Sequence, residues 1–358
     1  MEYAKPKTSM PRLESVNILR IIGAILITVY HMDFQSAGIQ PVKQLFLGSG
    51  NFSVALFIVI SGFLNAYNDK IDRVSFRGIV ANTKKRVSKV YPLHIVSLLA
   101  VLAYKFVTHS FESTDGIALP LNVLLLQGFV PIRSIYYSFN KLSWYLTLYL
   151  LFSIIEIPLV YVIKRMKVSK RFVLFVCIVA VELIWITIFQ DSSNVHWFCY
   201  VCPWFRTLDY VLGVIAGSVF VDYGLNIKAK IQNKPAVLYY IGLLVLIFAC
   251  IASKTVIPKE YYKVFYSISC CCCLYICALL PLKASPSVVK CIGLMGLYSF
   301  DWYLIHQIVI GVITQVIKNE LLAFAVVIIC TAIAVLVWEK LYSLFKKATS
   351  RLSTKNAG

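Results

Sequence analysis

The sequence predicts an all-α protein that crosses a membrane about ten times, with both chain ends in the cytoplasm. Its 358 residues are 59% hydrophobic and 14% charged, with a mean hydropathy of +0.78. Soluble domains carry about 25% charged residues. Ten apolar segments are long enough to span a bilayer, and the cations between them are concentrated in alternate loops. Together these observations indicate a polytopic membrane protein.

The predicted spans follow one another without a soluble domain between them. They lie near residues 15–34, 52–68, 90–108, 142–163, 171–189, 197–221, 236–252, 262–281, 291–316 and 321–345. The apolar stretch 119–130 is too short to span and is expected to be interfacial or re-entrant. We therefore expect a cytoplasmic tail over 1–14, one transmembrane domain over 15–345 and a second cytoplasmic tail over 346–358.

The charge distribution sets the predicted orientation. The chain has 35 Lys and Arg against 16 Asp and Glu, a formal net charge of +19. With the N-terminus inside, the cytoplasmic segments hold 24 of the cations and the outer loops hold 7. Such a bias is typical of membrane topology, so we expect contact with membrane lipids and not with nucleic acid.

Eleven cysteines give no sign of a metal or disulfide framework. Most of them, including Cys270 and Cys273, lie inside apolar segments, where cysteine is a small hydrophobic residue. Cys199 and Cys202 form a single CxxC without a second pair to complete a zinc site. We therefore expect no metal site.

The first predicted span carries two ionisable residues, Arg20 and His31. Eleven helical positions make about three turns, so both side chains lie on one face, about 16 Å apart along the axis. Ionisable groups inside a membrane are costly and usually functional. This pair is the strongest functional signal in the sequence.

Other polar residues in the spans allow two interpretations each. Arg206 and Asp209 are three residues apart, so they either pair within one helix or serve the function. His306 lies on an unusually polar span and is either a ligand contact or a satisfied core histidine. The basic stretch 84–92 either anchors the chain to anionic lipid or binds a phosphorylated cytosolic donor.

Common catalytic motifs are absent from the sequence. It has no Walker A loop, nucleophile elbow, zinc-protease motif or dinucleotide-binding loop in a usable context. A histidine can take a proton from a hydroxyl at neutral pH, and an arginine can bind a diphosphate. These groups suit acyl transfer from a thioester donor such as acyl-CoA to an alcohol.

Several stretches together resemble the acyltransferase type 3 family of integral membrane enzymes, in the family's order and across nearly the whole chain. They are Arg20 with His31; 57–63, with Ser61 and Gly62; 86–92, with Arg86, Lys89, Tyr91 and Pro92; 142–146, with Trp144 and Tyr145; Arg206 with Tyr210 and Gly213; and 298–307, with Tyr303 and His306. One departure is Lys89, which stands where the family has a second arginine and lacks its bidentate fork.

The resemblance implies an O-acyltransferase in a bacterial cytoplasmic membrane. Such an enzyme takes an acyl group, usually acetyl, from cytosolic acyl-CoA and passes it to hydroxyls of envelope, secreted or lipid-linked glycans. The donor is a substrate, and no resident cofactor is expected. The transmembrane domain, 15–345, would then be the acyltransferase domain.

The resemblance also suggests roles for individual residues. The expected groups are catalytic His31 and Arg20; donor-binding Arg86, Lys89, Tyr91 and Arg206; and acceptor-side Trp144, Tyr145, Tyr303 and His306. His31 would be either a general base or a transient acyl carrier. The alternative function is transport or export of a glycan or organic acid, with the same residues along a path.

Overall fold

The computed structural model describes residues 10–32, 34–35, 38–46, 48–69, 71–231 and 237–355. Every regular element within these ranges is helical. The ten long helices, named α1 to α10 in chain order, are Glu14–His31, Ser49–Tyr67, Phe76–Thr108, Trp144–Arg165, Val168–Phe189, Pro203–Val219, Val237–Ala252, Tyr262–Leu279, Pro286–Val316 and Glu320–Lys355. They correspond one to one to the ten predicted spans.

The polytopic class is confirmed, with one difference in the count of spans. Within the described ranges, nine helical segments are long and apolar enough to cross a membrane. The remaining long helix, α7, has 16 apolar-rich residues, fewer than the roughly 20 that a perpendicular span requires. Its exposed face carries Ile241, Val245 and Phe248, as expected beside lipid.

The helices extend further than the predicted spans on the side assigned to the cytoplasm. α3 begins at Phe76, where Ser75 Oγ accepts a hydrogen bond from the Gly78 N–H at 3.1 Å. The basic stretch that opens the third span is therefore helical. α10 continues to Lys355, so the predicted C-terminal tail is largely helix, whereas residues 1–9 of the N-terminal tail and 356–358 lie outside the described residues.

The connection between α3 and α4 contains the stretch predicted to be interfacial. It forms the short helix Asp115–Val123 and a 3₁₀ turn over Gln127–Phe129. The buried Asn122 carbonyl contacts His94 Nε2 of α3 at 2.9 Å. This contact ties the connection to the bundle.

Close packing of α2 on α6 depends on three glycines. A Cβ atom at Gly62 would lie 2.2 Å from the Tyr210 carbonyl oxygen. At Gly213 and Gly217 it would lie 2.3 Å from the carbonyl oxygens of Val59 and Phe63. The backbones therefore touch directly, the packing expected of small residues in membrane helices.

Candidate active site

Two histidines meet where α1 and α9 pack side by side. His31 is the last residue of α1, and its Nδ1 lies 3.0 Å from Nε2 of His306 in α9. The residues are separated by 275 positions in the chain, so only the tertiary fold brings them together. Of the predicted acceptor-side residues, His306 is the one in direct contact with the predicted catalytic group.

The hydrogen bonds of the two rings define their proton positions. His306 Nδ1 lies 3.1 Å from the Trp302 carbonyl oxygen, which can only accept, so this nitrogen carries a proton. In the neutral ring His306 Nε2 is then an acceptor, and His31 Nδ1–H donates to it. A neutral pair is favoured because charge is costly in a membrane. His31 Nε2 is therefore left unprotonated.

An outer cavity of about 770 Å³ opens next to His31. The predicted residues Trp144 and Tyr303 line it. Further aromatic side chains complete the wall, among them Tyr30, Tyr137, His196 and Tyr200. This cavity therefore contains a potential base, His31, together with the faces of aromatic rings and the polar atoms that these side chains carry.

An inner cavity of about 500 Å³ is lined by three of the cationic residues predicted to belong to the site, Arg20, Arg86 and Lys89. Within the described part of the chain, Arg20 makes no hydrogen bond or ion pair. Its guanidinium is therefore available to an anion. By helical rise, Arg20 and His31 are about 16 Å apart along α1.

Arg86 differs from Arg20 because it is already paired. It forms a salt bridge with Glu156 of α4 and donates a hydrogen bond to Asn65 Oδ1 at 2.9 Å. Its guanidinium carbon also lies 5.4 Å from the centre of the Tyr149 ring. Arg86 is thus fixed in orientation, whereas Arg20 has no hydrogen-bond partner in the ranges that the structure describes.

Tyrosine side chains lie between the two cavities. Tyr303 lines both cavities, and its ring centre is 5.3 Å from that of Tyr145, which lines the inner one. The Tyr303 hydroxyl donates to the Leu142 carbonyl at 3.3 Å. Tyr145, predicted on the acceptor side, therefore lies at the boundary and lines the inner cavity, not the outer one.

Two predicted donor-binding residues lie apart from the inner cavity. Arg206 is buried, bonded to Asp209 Oδ2 at 2.9 Å and to the Tyr200 carbonyl at 2.7 Å. The two residues therefore pair within one helix, and Arg206 lies beside Tyr200 in a wall of the outer cavity. The Tyr91 hydroxyl donates to the Val123 carbonyl at 3.0 Å, outside both cavities.

Several cavity residues were not singled out from the sequence. His196 stacks parallel to Tyr136, with ring centres 6.1 Å apart, and Lys141 lines the same outer cavity. Glu339 lines the inner cavity. The neighbouring Tyr136 and Tyr137 in a predicted outer loop were the available signal for an aromatic site. His196 sits one residue before a predicted span and was overlooked for that reason.

The directions of the helices agree with this division into two cavities. The inner cavity is lined mainly by the N-terminal halves of α1, α3 and α9 and the C-terminal halves of α2 and α10, which are the ends that the charge distribution assigns to the cytoplasm. Tyr145 and Tyr149, near the outer end of α4, also line it, so this cavity reaches deep into the bundle. The outer cavity is lined by the opposite end of α1 and by the connections that precede α4 and α6.

The helical bundle and its two cavities define a polytopic membrane protein equipped for acyl transfer. The chain belongs to the acyltransferase 3 family: the family profile, described as an acyltransferase domain, matches residues 13–339. Acyltransferase MdmB of Streptomyces mycarofaciens is 25% identical over 328 residues, which cover 84% of this chain and 79% of that relative. No solved structure matches the chain. The protein is an integral membrane acyltransferase.

Proposed function

We propose that the protein transfers acetyl from acetyl-CoA to a hydroxyl of a cell-envelope or extracellular glycan, including lipid-linked sugars, in a bacterial cytoplasmic membrane. The observation that carries this proposal is the pair of cavities along α1. Arg20, which has no partner among the described residues, lines one cavity, and His31, in contact with His306, lines the other. The donor and acceptor thus approach from opposite sides.

The chemistry of the inner cavity supports a CoA donor. Arg20 is free to form a bidentate contact with a phosphate group, and Lys89 adds a mobile positive charge at the exposed rim. Arg86 contributes positive charge but is held by Glu156. The donor acts as a substrate, and the reaction as proposed requires no resident cofactor.

His31 acts as the general base in this proposal. Its unprotonated Nε2 takes the proton of the acceptor hydroxyl while the oxygen attacks the thioester carbonyl carbon. A C–O bond forms, the C–S bond breaks, and the departing thiolate takes the proton from the imidazolium. His306 Nε2 accepts the Nδ1–H hydrogen bond throughout and stabilises the transient positive charge.

The outer cavity suits a carbohydrate acceptor. Tyr137, Trp144, His196 and Tyr200 offer ring faces for the apolar faces of sugar rings, together with polar atoms for their hydroxyls. The acceptor therefore binds between these rings and His31. The supporting Arg206–Asp209 pair lies behind Tyr200, with the guanidinium 4.9 Å from the Tyr200 ring centre.

The test compares envelope glycans from cells with the protein, without it, and with H31A. Mass spectrometry should show an acetyl increment that disappears without the protein and in H31A, while membrane levels of the variant stay normal. His109→Asn is the matched control, because His109 is exposed and has a left-handed backbone that asparagine tolerates. Unchanged acetylation in H31A would contradict the proposal.

A second measurement separates transfer from transport. Purified protein is mixed with radiolabelled acetyl-CoA, and binding is measured by filtration. The proposal expects binding that unlabelled acetyl-CoA displaces. A protein that does not bind acetyl-CoA, and whose H31A variant alters glycan movement without altering acetylation, would be a transporter.

A further inference from the structure

A second hydrogen bond joins α1 to α9 below the histidine pair. The indole N–H of Trp302 donates to Thr28 Oγ1 at 2.9 Å. Thr28 is fully buried, and its own hydroxyl proton goes to the Ala24 carbonyl at 2.8 Å. The Thr28 oxygen is therefore oriented as an acceptor toward α9.

This bond and the histidine contact form two consecutive connections between the same helices. Thr28 precedes His31 by three residues, and Trp302 precedes His306 by four. Residues at these spacings lie on one face of a helix, about one turn apart. The Thr28–Trp302 bond therefore fixes the rotation and height of α1 against α9 directly beneath the reacting nitrogen atoms.

Trp302 also controls the proton position on His306. Its backbone carbonyl contacts His306 Nδ1 at 3.1 Å and thereby leaves Nε2 as the acceptor for His31. The Trp302 indole fixes the rotation of α9 against α1, whereas its backbone carbonyl fixes the tautomer of His306. A rotation of α9 would leave this contact within the helix in place but would move His306 Nε2 away from His31 Nδ1, which would then lose its acceptor.

Neither Thr28 nor Trp302 lines the outer or the inner cavity, whereas His31 lines the outer one. Their side chains are consequently separated from both substrates. A substitution of Thr28 or Trp302 would therefore lower activity only by changing the positions of His31 and His306.

We propose that Thr28 and Trp302 are positioning residues, which hold the His31–His306 pair in the geometry and tautomer that leave His31 Nε2 unprotonated. This inference rests on the proposed role of His31. Because mislocation of reacting groups by about 1 Å can cost about 10²-fold in rate, loss of the bond should lower kcat by about 10- to 100-fold. The KM for acetyl-CoA should stay within twofold of the wild-type value.

The kinetic test uses the full-length protein in membranes from cells that lack the endogenous copy, with radiolabelled acetyl-CoA and the glycans of those membranes. Trp302→Phe keeps an aromatic ring and removes the N–H donor. Thr28→Val keeps the shape and removes the acceptor, whereas Thr28→Ser keeps the hydroxyl. The first two variants should lower kcat equally and non-additively, with a changed pH dependence of kcat, and Thr28→Ser should retain activity.

Trp185→Phe is the matched control, because Trp185 donates a comparable bond to the Phe198 carbonyl at 3.0 Å and lines neither cavity. Thermal unfolding in detergent identifies variants that fail to fold. Wild-type kcat and pH dependence in folded Trp302→Phe and Thr28→Val would overturn the proposal. A loss equal to that of Trp185→Phe would also overturn it.

Nitrogen NMR of protein labelled with ¹⁵N-histidine provides a readout that needs no acceptor. The chain has five histidines, and the signals of His31 and His306 are assigned by substituting each in turn. The proposal expects protonated Nδ1 and unprotonated Nε2 on both, with altered shifts in Trp302→Phe. Unaltered shifts would overturn it, whereas altered shifts without any acetyl transfer would contradict only the proposed function.

Discussion

His31 Nδ1 and His306 Nε2 lie 3.0 Å apart, within hydrogen-bond distance. The contact joins the end of α1 to the interior of α9, and His31 lines the outer cavity. A single intramembrane histidine would have to bear the positive charge of a transferred proton alone. The second ring shares that charge through its hydrogen bond, which makes His31 a more effective base.

Replacement of His306 should therefore affect catalysis more than donor binding. In His306→Phe the acceptor for His31 Nδ1–H is lost, and we expect kcat to fall on the order of 10²-fold, within the usual range for acid–base groups. The KM for acetyl-CoA should change little because His306 does not line the inner cavity. Steady-state kinetics in membranes measures both. Wild-type kcat in a correctly folded variant would exclude the pair from catalysis.

Arg20 should control the affinity for the donor. Loss of a charge-assisted hydrogen bond costs about 1.5–3 kcal/mol, so Arg20→Gln should weaken acetyl-CoA binding by about 10- to 100-fold. The affinity of Arg20→Lys should be intermediate, because lysine keeps the positive charge but cannot make the bidentate contact of a guanidinium group. Isothermal titration calorimetry measures the Kd, with outer-cavity Arg133→Gln as the control. Full donor affinity in Arg20→Lys would contradict a diphosphate clamp.

Tyr303 should help keep the two cavities separate. Tyr303→Ala removes the ring that lines both, so we expect proteoliposomes containing this variant to leak protons faster than those containing wild type. A pH-sensitive dye inside the vesicles measures the leak. Tyr149→Ala, which alters only the inner cavity, should leave the leak at the wild-type rate. Equal leak rates in all three proteins would mean that Tyr303 does not form the barrier.

The glycine contact between α2 and α6 should be sensitive to a single methyl group. In Gly213→Ala the added Cβ would meet the Val59 carbonyl, and overpacking of this kind costs about 1–3 kcal/mol. We expect a lower unfolding temperature in detergent. Gly242→Ala in α7 is the control, because no atom lies within 4 Å of its added Cβ. An unfolding temperature for Gly213→Ala equal to that of the control would show that α2 and α6 can move apart enough to accommodate the methyl group.

The sequence was sufficient for the helix count, the membrane class and the Arg20–His31 face, because apolar length and helical period are local properties. The order of the motifs also indicated the family and named His31 and His306 as site residues. The ring contact itself did not, because it joins residues 275 positions apart. The donor-side prediction for Arg206 rests on the family resemblance and stays a prediction, whereas its contact with the Tyr200 carbonyl is visible only in the folded chain.

The short helix α7 has a consequence for the surrounding lipid. The described residues of this helix, 16 in number, are about 24 Å long, whereas the hydrocarbon core of a bilayer is about 30 Å thick. Because its exposed face is apolar, acyl chains beside it must shorten, or the leaflets must bend inward, to avoid leaving peptide ends in hydrocarbon. The protein therefore imposes hydrophobic mismatch on one flank. It should favour thin bilayers, and short-chain lipids should be enriched next to α7.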